Sequence, residues 1–224
     1  MGEMITFKRP DGKEAPGYEA KPGGVDAAPG IVVIQEWWGI NEQIRKVGDR
    51  FVQEGYRVVI PDLFRGKVTL DEAEAAHLMR SLDFGAAAAQ DVRGAVMHLK
   101  AEGSRKAGIT GFCMGGALTV LAAVHAVEGD AAVSFYGYPP PEAADTTTIG
   151  MPLLGHFAND DEFFPIAGVD DLEQRLKNGK VDHQFYRYDA RHAFCNEERP
   201  NYDPAAARIA WHRTVEFFNK HLKK

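Results

Sequence analysis

The segment AGITGFCMGG, residues 107–116, begins as an apolar strand and runs through a glycine-rich turn into an alanine-rich helix that we expect to end near Val127. Gly111, Cys113 and Gly115 fit the pattern G-x-[Ser/Cys]-x-G, which forms a nucleophile elbow when it lies between a strand and a helix. Such a turn holds its central residue in strained backbone geometry, and glycines let neighbouring backbone approach it closely. The sequence therefore predicts a nucleophilic thiol at the start of a helix.

The rest of the chain alternates apolar, β-rich runs with helical patterns, beginning with an opening strand around Ile5 and Phe7. Strands are predicted at 31–35, 57–60, 107–110, 131–136, 151–156 and 184–188, and helices at 43–54, 70–81, 85–102, 166–176 and 204–221. This alternation is typical of an α/β fold with a mostly parallel sheet and helices on both faces. Because no linker or repeat interrupts the pattern, we expect one domain over residues 1–224.

Composition argues against several classes of function. The 224 residues are 45% hydrophobic and 26% charged, with a net charge of −6 and no cluster of lysines and arginines, so no nucleic-acid partner is expected. The longest apolar runs are shorter than the roughly 20 residues of a membrane-spanning helix, so no membrane partner is expected either. The start of the chain lacks the pattern of an export signal, and two cysteines are too few for a disulfide scaffold. We therefore expect a cytoplasmic protein with free thiols.

A cysteine nucleophile needs a base and an acid that orients the base. In α/β-hydrolases the acid and then the histidine follow the nucleophile, each on a loop after a later strand. His192 follows the strand predicted at 184–188, and Asp160, Asp161 and Glu162 follow the strand before it. Spacing alone does not choose among these three acids. The other seven histidines show no spacing typical of metal ligands, so we predict neither a metal site nor a cofactor.

The position of Cys113 at a helix N-terminus bears on the reactivity of its thiol. Orphan N–H groups and the helix dipole favour a thiolate there, so we expect an exposed, activated sulfur. Two non-catalytic alternatives remain open from the residues alone. In one of them Cys113 is a buried structural cysteine, and in the other it is a redox-sensing thiol with Cys195 as its resolving partner.

Glu36 stands at the end of the first buried parallel strand, where open α/β sheets gather their ligand-facing residues. Between that strand and two tryptophans its carboxyl group would be partly desolvated and able to hold a proton near neutrality. Trp37, Trp38, Phe163 and Phe164 are candidates for the walls of an apolar substrate pocket. The alternatives are a solvated loop acid and ordinary aromatic core residues.

Four stretches together resemble the dienelactone hydrolase (carboxymethylenebutenolidase) family, which has the α/β-hydrolase fold. They are QEWWGIN at 35–41, GFCMGG at 111–116, DEFFP at 161–165 and ARHAF at 190–194. The resemblance implies that Cys113 is the nucleophile, His192 the base and Asp161 the orienting acid. It also implies a small-molecule substrate, an ester or lactone that is hydrolysed through a thioester acyl-enzyme.

The same resemblance implies further roles at the site. Glu36 matches an additional family carboxylate, which contacts the resting thiol and helps to deliver the thiolate when substrate is bound. The backbone N–H groups of Met114 and Trp37 match the donors of the family's oxyanion hole. A broader carboxylesterase or thioesterase with the same mechanism is the alternative, and the state as monomer or homo-oligomer stays open.

The chain departs from the family pattern where substrate is bound. The family's best-known members carry an arginine four positions after the histidine that helps to bind the substrate carboxylate, and here that position is Asn196. The region of another family arginine is acidic here, around 71–74. Arg80, Arg191 and Arg199 are candidates to replace the missing charge. With Asn196 as a pocket residue, we expect neutral esters or lactones to be better substrates than carboxylated dienelactones.

Overall fold

The fold is built on one sheet in the part of the chain that the structure, a computed structural model, describes: residues 2–24 and 27–223. The strands are β1 (Glu3–Lys8), β2 (Glu14–Ala20), β3 (Gly30–Ile34), β4 (Arg57–Pro61), β5 (Ala107–Phe112), β6 (Ala131–Phe135), β7 (Leu153–Asp160) and β8 (His183–Arg191). The helices are α1 (Glu42–Gln53), α2 (Glu72–Ser81), α3 (Phe84–Ala86), α4 (Arg93–Ala101), α5 (Met114–His125), α6 (Ile166–Asn178) and α7 (Pro204–Leu222). A π-helical segment (Ala87–Val92) joins α3 to α4.

The eight strands lie in the order β1-β2-β4-β3-β5-β6-β7-β8. Strands β3 to β8 pair in parallel, whereas β2 pairs antiparallel with both β1 and β4. Strands β3, β4, β5 and β6 are buried along their whole length. Their continuous apolar runs are typical of strands covered on both faces. The prediction of a mostly parallel α/β sheet is confirmed.

Helices cover both faces of this sheet. On one face Phe51 of α1 and Phe218 of α7 join a buried apolar cluster with β3, β4 and β6. On the other face Leu78, Leu99 and Leu118, from α2, α4 and α5, join a second cluster. Each such buried side chain contributes roughly 1.5–3 kcal/mol by leaving water. None of the helices in the described residues is long and apolar enough to cross a membrane.

Two elements differ from the sequence prediction. Strand β2 is missing from that prediction because EAPGYEA contains Pro16 and Gly17, residue types that are depleted in strands. Pairing on both sides overrides this low propensity, since Gly17 lies opposite Ile5 in one ladder and Pro61 in the other. The helix predicted at 85–102 contains the π-helical segment, which the apolar periodicity does not reveal.

Strands β7 and β8 also extend further than predicted. They end at Asp160 and Arg191, four and three residues beyond the predicted ends. In β8 the alternation of a strand continues, with Tyr188 and Ala190 buried and Asp189 exposed. The polar residues nevertheless end the apolar run on which the prediction depended. The extension brings the residue after each strand to the same edge of the sheet.

The turn between β5 and α5 is packed too closely for side chains at its glycines. A Cβ atom on Gly111 would lie 2.2 Å from the carbonyl oxygen of Gly115. A Cβ atom on Gly115 would lie 2.5 Å from the carbonyl oxygens of Ile34 and Gln35. These neighbours are backbone atoms, so rotation of a side chain does not relieve the contacts. The turn therefore requires glycine at both positions.

We expect Gly111→Ala to lower the free energy of unfolding by about 1–3 kcal/mol or more, because its methyl group overpacks rigid backbone. Gly150→Ala is the matched control, since a Cβ atom on Gly150 meets nothing within 4 Å. That control should change stability by less than about 1 kcal/mol, through the unfolded chain. Chemical denaturation of both variants measures the difference, and equal stability would contradict the packing argument.

Candidate active site

The candidate residues stand directly after the parallel strands. Cys113 follows β5, Tyr136 follows β6, Asp161 follows β7 and His192 follows β8, while Glu36 lies two residues after β3. The carboxyl ends of parallel strands meet at one edge of a sheet, where open α/β sheets bind ligands. The strands therefore bring these five side chains together at one end of the molecule.

Cys113 has the backbone geometry of an elbow. Its φ of 56° and ψ of −117° are rare for a residue with a side chain, and it caps the N-terminus of α5. Its own N–H donates to the carbonyl oxygen of Phe135 at 3.0 Å, which ties the turn to β6. The residue is half-buried. The sulfur is thus held at the sheet edge by backbone contacts.

The thiol of Cys113 is protonated at rest rather than activated. Burial raises its pKa, and the nearby carboxylate of Glu36 raises it further. The backbone N–H of Met114, which hydrogen-bonds to the sulfur, opposes this rise without cancelling it. The expectation of an exposed, activated thiol is therefore wrong, because desolvation outweighs the helix N-terminus. For this sulfur to act as a nucleophile, a base would have to remove the proton.

His192 and Asp161 form a close, buried pair. Nδ1 of His192 lies 2.8 Å from Oδ2 of Asp161, and the two side chains are 10% and 1% exposed. The other carboxylate oxygen accepts the backbone N–H groups of Phe163 and Phe164, both at 2.9 Å. Because an ionised carboxylate only accepts hydrogen bonds, the proton belongs on Nδ1. Nε2 of His192 is then free to act as a base.

The three acids left open by the sequence lie in different surroundings. Asp161 contacts His192, whereas Asp160 is exposed and lies 3.4 Å from Arg191 in an ion pair. Glu162 is also exposed. Of these three, Asp161 alone reaches the imidazole in the structure described. Spacing could not reveal this, because neighbouring positions at a strand end point in different directions.

Glu36 is buried and held by two donors. It is 4% exposed, Nδ2 of Asn196 donates to its Oε2 at 2.6 Å, and the hydroxyl of Tyr136 donates to its Oε1 at 3.4 Å. Burial raises the pKa of the Glu36 carboxyl group, and the Asn196 hydrogen bond opposes that rise. The effect of Glu36 on the Cys113 thiol is electrostatic, since its oxygens are bonded to Asn196 and Tyr136.

Tyr136 was not among the residues predicted for the site. Its φ is 37°, its side chain is fully buried, and its ring meets that of His192 edge-on with 5.3 Å between the centroids. Burial raises the pKa of its hydroxyl, which therefore stays protonated and can donate to Glu36. Its signal in the sequence is its place as the last residue of the apolar strand predicted at 131–136, since Glu36 was singled out at the end of another such strand.

Asn196 and Arg199 both lie on the loop after β8. Asn196 is buried, whereas Arg199 is partly exposed. Asn196 is 1% exposed and uses both ends of its amide, since Oδ1 accepts the backbone N–H of Glu198 at 3.0 Å. The guanidinium of Arg199 lies 3.7 Å over the ring of Trp38 and lowers the pKa of Glu36. Among the three arginines proposed as replacements, Arg199 is the one close to Glu36.

Aromatic rings surround the imidazole and the loop of Glu36. The ring centroids of Phe163 and Phe164 lie 4.9 and 5.7 Å from that of His192, and Phe163 is 61% exposed. Trp37 and Trp38 meet edge-on at 5.0 Å, with Trp38 buried. These rings give the site one apolar wall beside His192 and another beside Glu36.

His156 is a second buried histidine, and both of its ring nitrogens are hydrogen-bonded within the core. Its ring nitrogens lie 2.8 Å from the hydroxyl of Tyr188 and 3.0 Å from that of Thr214. Burial lowers its pKa to about 3, so it is neutral. Within the described residues, no group of three or more His, Cys, Asp and Glu side chains is arranged to hold a metal ion.

We expect Glu36→Gln to become more stable relative to the unsubstituted protein as pH rises from about 4 to about 8. The folded pKa of Glu36 lies above its ordinary value of 4.5, so its ionisation costs stability as pH rises through the folded pKa. At low pH the group is protonated in both the folded and the unfolded state, and the stability difference between the two proteins no longer depends on pH. Free energies of unfolding across this range measure the trend, with the exposed acid variant Glu162→Gln as control. A pH-independent difference would contradict the burial argument.

The fold and the order of these residues define an α/β-hydrolase, with an elbow cysteine followed by an acid and a histidine after later strands. The model of the dienelactone hydrolase family matches residues 15–222, and the chain belongs to that family. It is accordingly a hydrolase of a family that acts on esters or lactones.

Individual relatives cover the chain from end to end. Protein usf of Aquifex pyrophilus is 35% identical over 235 residues, covering 99% of this chain and all of the relative. A protein of Aquifex aeolicus (strain VF5), named "Putative carboxymethylenebutenolidase", is 32% identical over 234 residues and covers both chains fully. Among solved structures, a dienelactone hydrolase-like promiscuous phosphotriesterase from metagenomic libraries has a TM-score of 0.85 at 22% identity, covering 98% of each chain. That similarity supports the fold.

Proposed function

We propose that the protein hydrolyses small esters or lactones with Cys113 as nucleophile, His192 as general base and Asp161 as the acid that orients His192. The observation that carries the proposal is the 2.8 Å contact between His192 Nδ1 and Asp161, at the same sheet edge as the strained Cys113. Family membership supports the type of reaction, and the relative from Aquifex aeolicus carries the carboxymethylenebutenolidase name.

The reaction starts when Nε2 of His192 takes the proton from the Cys113 sulfur and the thiolate attacks the substrate carbonyl carbon. The carbonyl oxygen becomes an oxyanion, for which we assign the backbone N–H groups of Met114 and Trp37 as donors. His192 then gives the proton to the departing alcohol oxygen, which leaves Cys113 as a thioester. Water, deprotonated by His192, attacks that thioester, releases the acid and restores the thiol.

Glu36 has a separate task in this proposal. Its negative charge raises the pKa of the Cys113 thiol, and it therefore keeps the resting sulfur protonated until His192 removes the proton. Asn196 and Tyr136 are positioning residues, because they fix the carboxylate by hydrogen bonds. A protonated thiol is also a poor redox sensor, since oxidation proceeds through the thiolate. The hydrolase proposal is therefore preferred to the sensing alternative.

We expect Cys113→Ala to lose nearly all hydrolysis of p-nitrophenyl acetate, because the covalent route is removed. Asp161→Asn should slow kcat/KM by roughly 10²- to 10⁴-fold, the range for general acid–base groups, since the imidazole loses its orienting partner. Asp160→Asn is the matched control, an exposed acid one position earlier, and should stay near the unsubstituted rate. A severe Asp160→Asn and a mild Asp161→Asn would show that the assignment of the acid is wrong by one position.

We expect Glu36→Gln to react faster with iodoacetamide at Cys113 at a given pH, because removal of a negative charge lowers the thiol pKa. Turnover should be slower at the same time, since Glu36 no longer keeps the Cys113 thiol protonated until His192 removes the proton. Mass spectrometry separates alkylation of Cys113 from that of Cys195, and Glu162→Gln is again the control. Unchanged alkylation and turnover would return Glu36 to the role of a structural acid.

The substrate class proposed is neutral rather than anionic. Asn196 offers only neutral amide donors, and one of its two Nδ2–H groups is already bonded to the Glu36 carboxylate. The kcat/KM for small neutral esters or lactones should therefore equal or exceed that for dienelactone. The measurement compares both substrates on the unsubstituted protein and on Arg199→Gln. A strong preference for dienelactone that disappears in Arg199→Gln would show that Arg199 supplies the missing positive charge.

Three further expectations remain part of this proposal. The chain acts as one α/β-hydrolase domain, its partner is a small-molecule substrate, and it works in the cytoplasm. A broader carboxylesterase or thioesterase uses the same residues and the same acyl-enzyme. A panel of acyl groups and leaving groups distinguishes these two enzymes, because a dedicated lactonase discriminates against open-chain thioesters.

A further inference from the structure

A cavity of about 130 Å³ lies on the sheet face covered by α1 and α7, below the ends of β5 and β6. Phe112, the last residue of β5, and Cys195, on the loop after β8, form part of its wall. Cys113, His192, Asp161 and Glu36 do not line it. The lining of this cavity therefore differs from the candidate active site, although its Cys195 is close enough to interact electrostatically with Glu36.

The inner wall of this cavity is aromatic. The rings of Phe112 and Phe135 are stacked with 4.5 Å between their centroids, and Trp211 of α7 adds a third ring. A cavity of about 150 Å³ lined by apolar side chains holds one benzene molecule. The volume here therefore accommodates one ring and little more. Because Phe112 and Phe135 cover each other's faces, a bound ring would meet them edge-on, one of the two arrangements that aromatic pairs prefer.

The opening of the cavity is positively charged. The guanidinium of Arg50, a residue of α1, lies 3.8 Å over the ring of Trp211 in α7. Arg208 lies one turn before Trp211 in α7 and also lines the cavity. Within the described residues, neither arginine forms an ion pair or side-chain hydrogen bond with an acid. Glu197 is exposed at the rim and offsets one of the two charges. Two guanidinium groups without carboxylate partners are suited to bind an anion.

Cys195 leaves the inner surface uncharged. Burial raises the pKa of its thiol well above the ordinary value, although the positive charge of Arg50 opposes the rise. The proposed reaction does not use this sulfur. A neutral thiol beside three aromatic rings adds to the apolar part of the wall. The anionic part of a ligand must therefore face the arginines at the opening, while its apolar part points inward.

We propose that this cavity is a second binding site, which takes a single-ring organic carboxylate. The ring lies against the edges of Phe112, Phe135 and Trp211, whose faces are covered by each other, by Phe51 and by Arg50. The carboxylate accepts hydrogen bonds from Arg50 and Arg208. The size of the cavity sets one ring as the limit, and two arginines without a carboxylate partner among the described residues favour a negatively charged ligand. Such a ligand would lie next to the loop that carries Asn196 and, through it, Glu36.

The test is calorimetric titration of the full chain with benzoate and with its neutral analogue benzamide. We expect benzoate to bind, and benzamide to bind about tenfold more weakly or worse, because it cannot form charge-assisted hydrogen bonds. Arg208→Gln and the cavity-filling Ala207→Leu should each weaken benzoate binding by about tenfold or more. Arg105→Gln, which removes an exposed arginine elsewhere, is the matched control and should leave the affinity unchanged.

Binding at the candidate active site is distinguished by alkylating Cys113 with iodoacetamide, verified by mass spectrometry, before the titration. Benzoate binding that persists supports the second site, and binding that disappears overturns it. Undetectable benzoate binding, or equal affinity for benzamide, also overturns the proposal. Melting temperatures verify folding, and the exposed position of Arg208 keeps the test valid where Ala207→Leu fails to fold.

Discussion

The sharp turn from β5 into α5 is the constraint on which the rest of the site depends. Cys113 occupies a left-handed backbone region that costs a residue with a side chain on the order of 1–3 kcal/mol. The fold maintains this strained conformation because Gly111 and Gly115 let the helix and strand backbones pack at distances that a methyl group would not allow. With the sulfur fixed in this way, the other groups need only stand at the ends of neighbouring parallel strands to meet it.

Two opposing effects act on the thiol, and their magnitudes decide the outcome. A helix N-terminus favours a negative charge by about 0.3–1 kcal/mol, and by about 2 kcal/mol in the best partly buried cases. Desolvation shifts the pKa of a fully buried group by up to about 3–5 units, at about 1.4 kcal/mol per unit, so even a part of that shift at the half-buried Cys113 exceeds the effect of an ordinary helix N-terminus. Burial and the charge of Glu36 therefore win over α5, and the resting sulfur is neutral. A neutral sulfur makes a nearby base necessary, which the His192–Asp161 pair can provide.

Most of the sheet can be predicted from sequence because parallel strands buried on both faces are continuous apolar runs. Strand β2 cannot, since its proline and glycine are accepted only because ladders form on both of its sides. At the site, chain order after each strand suffices to propose His192 and a group of three acids. Among those three acids, strand order leaves the choice open and only the family resemblance points to Asp161. The role of Tyr136 depends on side-chain direction and burial, which a linear pattern does not contain. The raised thiol pKa is missed for the same reason, because burial is a property of the whole packed edge.

The exchange of an arginine for Asn196 affects more than substrate charge. A guanidinium beside Glu36 would neutralise the carboxylate as well as hold it, whereas an amide holds it without adding charge. Among the groups that act on Glu36 from a distance are His192 and Arg199, the second of which is stacked on Trp38. With Asn196 in place of an arginine, the pocket has one positive charge fewer, and the negative charge of Glu36 acts more strongly to keep the Cys113 thiol protonated. In the proposed mechanism, the preference for neutral substrates and the protection of the resting nucleophile would both depend on Asn196.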